Sequence, residues 1–210
     1  MKTISVDTDI WYKALRTMLR PFFSWYNNGV LDEDATEFLA WDDVKVSLSQ
    51  AKRLGNSDPT FEKLADDGAG SVGVYATAFS NSALQEVFFD AQLPHAYKAG
   101  TNIKFHIHWA PSGTGTGNVI WGIEYVALND GVPIGSTTIV EATVAAPGVV
   151  LEKKSAVATL SGTLLVESSV IMCRLYRQTT GNTYAAKAFA LSADFHIQKN
   201  KPGTYLEFPV

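Results

Sequence analysis

Residues 103–109 read Ile103-Lys104-Phe105-His106-Ile107-His108-Trp109. Apolar and basic side chains alternate here without a break, the period-two mark of a strand with one buried face. Ile103, Phe105, Ile107 and Trp109 take the side that must be buried. Lys104, His106 and His108 take the other, toward solvent or a neighbouring subunit.

The same alternation governs the chain from Trp41 onward. Val44, Val46 and Leu48 alternate with Lys45, Ser47 and Ser49. Further strands are predicted near 72–80, 84–93, 102–110, 118–128, 133–144, 155–161, 164–177 and 184–198. Turn residues separate them: Asn81-Ser82, Pro94, the run from Pro111 to Asn118, Asn129-Asp130-Gly131, Pro147-Gly148 and Thr179-Thr180-Gly181-Asn182. Asn129-Asp130-Gly131 and Thr180-Gly181-Asn182 read as hairpin turns. Residues 52–70, KRLGNSDPTFEKLADDGAG, read as a long polar loop. About eight antiparallel strands with no helical pattern between them predict an all-β jelly roll or β-sandwich over residues 41–210.

Residues 1–40 follow another period. Trp11, Leu15, Met18 and Phe22 lie at spacings of 4, 3 and 4, one face of a helix that Thr8 or Asp9 could cap and that Pro21 should stop or kink. With Tyr12, Phe23, Trp25 and Tyr26 nearby, the segment carries more aromatic surface than water tolerates. It can pack on its own domain, anchor the chain to a partner, or lie on a membrane surface beside Lys13, Arg16 and Arg20. Our expectation is an N-terminal helical docking or oligomerisation arm over residues 1–40. Trp11, Leu15, Met18, Phe22 and Trp25 are its contact residues, with no membrane partner.

Composition narrows the function. Charged residues are 18% of the chain against about 25% in ordinary soluble domains, so part of the surface is expected to be covered by a partner. A net charge of −4, with 17 Lys and Arg scattered along the chain, gives no footprint for nucleic acid. Cys173 is the single cysteine, so no internal disulfide is possible and an apolar, buried thiol is expected. No apolar run is long enough for a spanning helix, and acidic residues near the start argue against a signal peptide.

No catalytic constellation stands out. There is no G-x-S-x-G, and Gly113-Thr114-Gly115-Thr116-Gly117 lacks the lysine and following helix of a phosphate loop. Asp58, Asp66 and Asp67 share a glycine-bearing loop but not the spacing of an EF-hand, which leaves turn chemistry as the expectation. Trp109, Trp121 and Tyr125 could stack on sugars, yet their alternation places them in the core. His106 and His108 form an H-x-H pair that would need a third ligand, such as His95, His196 or a carboxylate. No carboxylate follows them in the chain before Glu124, so the expectation is no catalytic residue, no cofactor and no metal, with His106, His108 and His196 the candidates if a metal were held. Two other readings keep a site: a cupin-like metalloenzyme built on the histidines, or a host-binding tip using the 111–118 loop.

Trp41-Asp42-Asp43, DDGAGSVGVYATAF (66–79), FDAQLPHAYKAGTNIKFHIHW (89–109) and GNVIWGIEY (117–125) resemble a group of small tailed-bacteriophage virion structural proteins. ADFHIQKNKPGTYLEF (193–208) resembles the closing strand of that group more loosely, and residues 1–40 match nothing in it. The resemblance implies a jelly-roll homotrimer made in the bacterial host cytoplasm and carried on the virion, in contact with capsid or tail proteins. It carries over no catalytic residue. A 40-residue arm is too short for a fibre shaft, which favours a capsid decoration or cement protein. The alternative is a tail or head-fibre tip that binds a host receptor or glycan.

Overall fold

The computed structural model of the protein describes residues 39–203. The predicted helical arm, with Trp11, Leu15, Met18, Phe22 and Trp25, lies outside the described residues. Ten strands run in chain order: β1 (Ala40–Val46), β2 (Thr60–Ala65), β3 (Val74–Phe79), β4 (Gln85–Gln92), β5 (Ile103–Pro111), β6 (Asn118–Leu128), β7 (Thr138–Ala145), β8 (Lys154–Leu160), β9 (Val170–Arg177) and β10 (Ala188–Lys199). Among the described residues the only helical piece is a 3₁₀ turn at Leu48–Gln50.

The strands form two antiparallel sheets. One has the order β2-β3-β10-β5-β8, with β1 also paired to β10; the other has the order β4-β9-β6-β7. β3 pairs with β10, β4 with β9, β5 with β8 and β6 with β7. This nesting is a long hairpin rolled across two sheets, the jelly-roll wrapping.

All eight predicted strands of the roll are present with shifted ends. Two local expectations fail. The stretch 52–70 is not all loop, because Thr60–Ala65 pairs with β3 as an edge strand. Phe61-Glu62-Lys63-Leu64 sets two charged residues side by side and puts its two apolar residues at opposite parity, so no period-two pattern marks the strand, and Pro59 and the surrounding aspartates signal a turn. Thr180-Gly181-Asn182 does not close a hairpin. It carries the chain from β9 in one sheet to β10 in the other. Gly181 supplies a left-handed φ of 76° for that turn. Asn129-Asp130-Gly131 does close the β6–β7 hairpin, with Val132 N–H donating to Asn129 C=O at 3.2 Å.

The core lies between the sheets. Ile103, Phe105, Ile107 and Trp109 of β5 face Val119, Trp121, Ile123 and Tyr125 of β6, and all eight are buried. Trp121 meets Phe79 edge-on at a centroid distance of 5.2 Å and Trp109 at 6.4 Å. These contacts give each indole a packed seat. The aromatics offered by the sequence as possible sugar platforms are thus interior residues. Cys173 is buried as expected, and burial pushes its thiol well above the ordinary range.

Arg177, at the end of β9, is fully buried between the sheets. It donates to the carbonyls of Phe79 (3.1 Å), Ala186 (2.7 Å) and Tyr184 (2.7 Å) and to Asn182 Oδ1 (3.2 Å). One guanidinium therefore ties the end of β3 to the β9–β10 crossover. Burial pulls its pKa down to about 10, so it remains charged at neutral pH.

Candidate functional site

The outer face of the larger sheet gathers the polar side chains that alternate with the core. On β5 these are Lys104, His106 and His108; β8 places Thr159, Val157 and Ser155 opposite them in register. On the other side, β10 sets His196, Asp194 and Ser192 against the same three residues.

A β-bulge decides this arrangement. The register of β10 shifts between Ala190 and Ser192, leaving Leu191 as the extra residue. Before it, Ala188 and Ala190 point into the core. After it, Ala193, Phe195 and Ile197 do. Without the extra residue, the alternation set by Ala188 and Ala190 would turn Asp194 and His196 inward. Bulges commonly re-aim side chains in this way.

Asp194 consequently sits between the two imidazoles of β5. His108 Nε2 lies 2.8 Å from Asp194 Oδ1, and His106 Nδ1 lies 3.3 Å from Asp194 Oδ2. The carboxylate is buried, with a relative exposure of 6%, while both histidines are part-exposed. The other nitrogen of His108, Nδ1, is 2.7 Å from Ser155 Oγ, which fixes the ring plane. His106 stacks on His196 at 5.3 Å between centroids, and His196 stacks on Trp41 at 4.7 Å. His196 Nδ1 is itself held at 2.6 Å by Asp43 Oδ1. Burial lowers the pKa of His106; Asp194 opposes that shift and the neighbouring His196 and His108 reinforce it.

The structure therefore brings together the H-x-H pair and a carboxylate that strand-local reasoning did not supply. The donor atoms of His106, His108 and Asp194 all lie within 4.8 Å of one another. His196, the histidine proposed as a further ligand, instead braces the ring of His106. Asp194 was readable as an outward residue, since Ala193, Phe195 and Ile197 alternate with it, but its pairing opposite His106 required the register of β10. His95 belongs to the β4–β5 connection, outside this cluster. Asp66 and Asp67 hold the backbone N–H groups of Gly68, Ala69 and Ser71, which is turn chemistry rather than an ion cage.

The outer face of the second sheet carries a different surface. A trough of about 680 Å³ is lined by Phe88, Val126, Met172, Glu124, Arg174 and Lys52 among others. Arg174 bridges Glu86 and Glu124, the latter at 2.9 Å. Tyr176 crosses over Gly122 to donate to Glu141 Oε1 at 3.0 Å, and burial raises its pKa to about 12.

No protein-family model matches the chain, and no curated protein does. Among solved structures, the chain aligns with the Clostridium thermocellum endo-1,4-β-D-xylanase 10B CBM22-1–GH10 modules complexed with xylohexaose, at TM-score 0.34 and 11% identity over 80% of this chain and 27% of that one. It aligns with the TmCBM61 module in complex with β-1,4-galactotriose at TM-score 0.33 and 14% identity, over 79% and 91% of the two chains. It aligns with Arthrobacter globiformis T6 isomalto-dextranase complexed with panose at TM-score 0.32 and 10% identity, over 77% and 33%. The chain thus spans about a third or less of two of these three structures. Superposition at this level has no bearing on what the chain does.

Proposed function

We propose that the protein is a non-enzymatic bacteriophage virion structural protein, a jelly-roll homotrimer that decorates the capsid. The observation that carries the reading is apolar surface left open on the larger sheet. Tyr75 has the same strand parity as Phe79, a core residue, and Phe61 of β2 stacks on it at 5.5 Å. Both belong to the core-facing side, yet Phe61 is 54% and Tyr75 40% exposed. Val72 and Val74 beside them are more exposed still. Such an aromatic overhang on an edge strand suits burial against another subunit. The sequence resemblance supplies the phage context. Among the described residues Ser155, His108 and Asp194 do form a hydroxyl–imidazole–carboxylate chain on the outer face of the larger sheet, to which the virion reading gives a structural role.

Two measurements test it. The mass of the full-length protein in solution is expected at three times the 22.8 kDa chain. Phe61→Ser with Tyr75→Ser should shift that mass toward the single chain. Particles lacking the protein should bind it, and substitution of Trp11, Phe22 and Trp25 by Ser should abolish binding. Undiminished binding by that variant would refute the arm's role. The trough on the smaller sheet favours a second reading, a receptor- or glycan-binding tip, because Phe88 and Met172 offer apolar contact beside Lys52 and Arg174. A glycan array on the trimer separates the two.

A further inference from the structure

We propose that His106, His108 and Asp194 form a binding site for a divalent transition-metal ion of the Zn²⁺ class. The proposal stands on the geometry of the cluster and does not depend on the virion reading.

The donor set is two imidazole nitrogens and one carboxylate oxygen. That mixture selects Zn²⁺, Co²⁺, Ni²⁺ or Cu²⁺ over Ca²⁺ and Mg²⁺, which take oxygen ligands almost exclusively. Ligands bound about 2.1 Å from a tetrahedral ion stand roughly 3.4 Å apart. His106 Nδ1 lies 3.3 Å from Asp194 Oδ2 and His108 Nε2 lies 2.8 Å from Oδ1, so the imidazoles meet opposite oxygens of one carboxylate and an ion would draw all three side chains onto a common centre. One donor atom from each residue lies within 4.8 Å of the other two, a span that rotation of the side chains can close around an ion. β5 and β10 are interior strands of the larger sheet, so the backbones that carry the ligands are held on both sides.

The surroundings have the features of a metal site's outer sphere. A metal-bound histidine usually has its second nitrogen fixed by a hydrogen bond, which sets the tautomer and aims the ligating lone pair. Ser155 Oγ does this for His108 Nδ1, and Nε2 then faces the carboxylate. His196 and Trp41 stack in series behind His106 and restrict its ring, with Asp43 anchoring His196. Asp194 is a buried carboxylate whose ionic partners are the two imidazoles. A bound cation would compensate its charge directly. Three protein ligands leave a fourth position, open on the outer face because His106 and His108 remain part-exposed.

The test uses untagged, chelator-stripped, full-length protein titrated with ZnCl₂ by calorimetry. The expected result is one ion per chain with micromolar or tighter affinity. Asp194→Asn and His106→Ala should each weaken binding by at least about tenfold, the lower end of what even outer-sphere changes cost. His95→Ala should leave affinity unchanged. Substitution of Co²⁺ gives a second readout: visible ligand-field bands expected from the wild type and absent from His106→Ala. If Asp194→Asn fails to fold, His106→Ala, whose ring is part-exposed, decides alone. Binding well below one ion per chain overturns the proposal. So does one-to-one binding that His106→Ala leaves intact, since the ion would then sit elsewhere.

Discussion

Replacing Arg177 by Met should remove a large share of the protein's stability. The substitution keeps an unbranched stem of similar length, so the packing change is small. It deletes the donors to three main-chain carbonyls, Phe79, Tyr184 and Ala186, and to Asn182 Oδ1. A buried acceptor left without a partner costs about 1–3 kcal/mol. Tyr184 C=O keeps the Asn182 Nδ2 donor at 3.3 Å, so Phe79 and Ala186 are the acceptors left short; taken toward the lower end, since carbonyls have two lone pairs, the two give about 2–4 kcal/mol. Domains are stable by about 5–15 kcal/mol in all, so Arg177→Met should be marginal at 37 °C. Arg177→Lys keeps a charge but lacks the planar fork, and should lose roughly half as much. Equilibrium urea unfolding of the three proteins, followed by tryptophan fluorescence, measures this directly. The midpoint should fall in the order wild type, Lys, Met with an unchanged slope. A loss below about 1 kcal/mol for Arg177→Met would refute the reasoning, because it would mean that desolvating the guanidinium offsets its hydrogen bonds.

Further outcomes follow from other positions. A β-carbon at Gly122 would stand 2.1 Å from the Tyr176 ring, so Gly122→Val should cost about 1–3 kcal/mol in the wild type and little or nothing further in a Tyr176→Ala background, as thermal melts of the four proteins would read. Cys173 should resist thiol-specific reagents in the native protein and react fully in denaturant; rapid native labelling would contradict its burial. Glu62 is held below its ordinary pKa first by Lys187 and then by Thr60, and Glu124 first by Thr137 and then by Arg174. A carboxylate depressed in the folded state contributes stability above its unfolded pKa and loses it as pH falls through the folded one. Unfolding free energy should therefore be flat above about pH 7, fall first below the ordinary histidine value of 6.5, where the unfolded chain protonates His106 before the folded one does, and fall further below the ordinary glutamate value of 4.5. Arg174→Gln should make that decline shallower, by a few tenths of a kcal/mol at most, because these groups are partly exposed.

The roll was legible in the sequence because one face of nearly every strand is buried. Ile103, Phe105, Ile107 and Trp109 alternate with Lys104, His106 and His108, and Val119, Trp121 and Ile123 alternate with residues that face outward. Edge strand β2 was not legible, because its exposed Phe61 and part-buried Leu64 follow Pro59 among aspartates and glycines that signal a turn. The crossover at Thr180-Gly181-Asn182 was misread for a different reason. A tight turn has the same local chemistry whether it returns to its own sheet or passes to the facing one, and only tertiary pairing distinguishes the two. The candidate site was half visible. His106 and His108 announced themselves by spacing along one strand. Asp194 is 86 residues beyond His108 and joins it only through the β5–β10 register. That register depends on the bulge at Leu191, and strand alternation alone cannot locate an inserted residue.

In the proposed assembly, the exposed Phe61–Tyr75 edge is covered by a neighbouring subunit. Native mass spectrometry of the untagged full-length protein at micromolar concentration tests it most directly. A dominant species at three times the 22.8 kDa chain mass is expected, reduced toward the single chain by Phe61→Ser with Tyr75→Ser. A wild-type protein that remains at the single-chain mass across that range would contradict it.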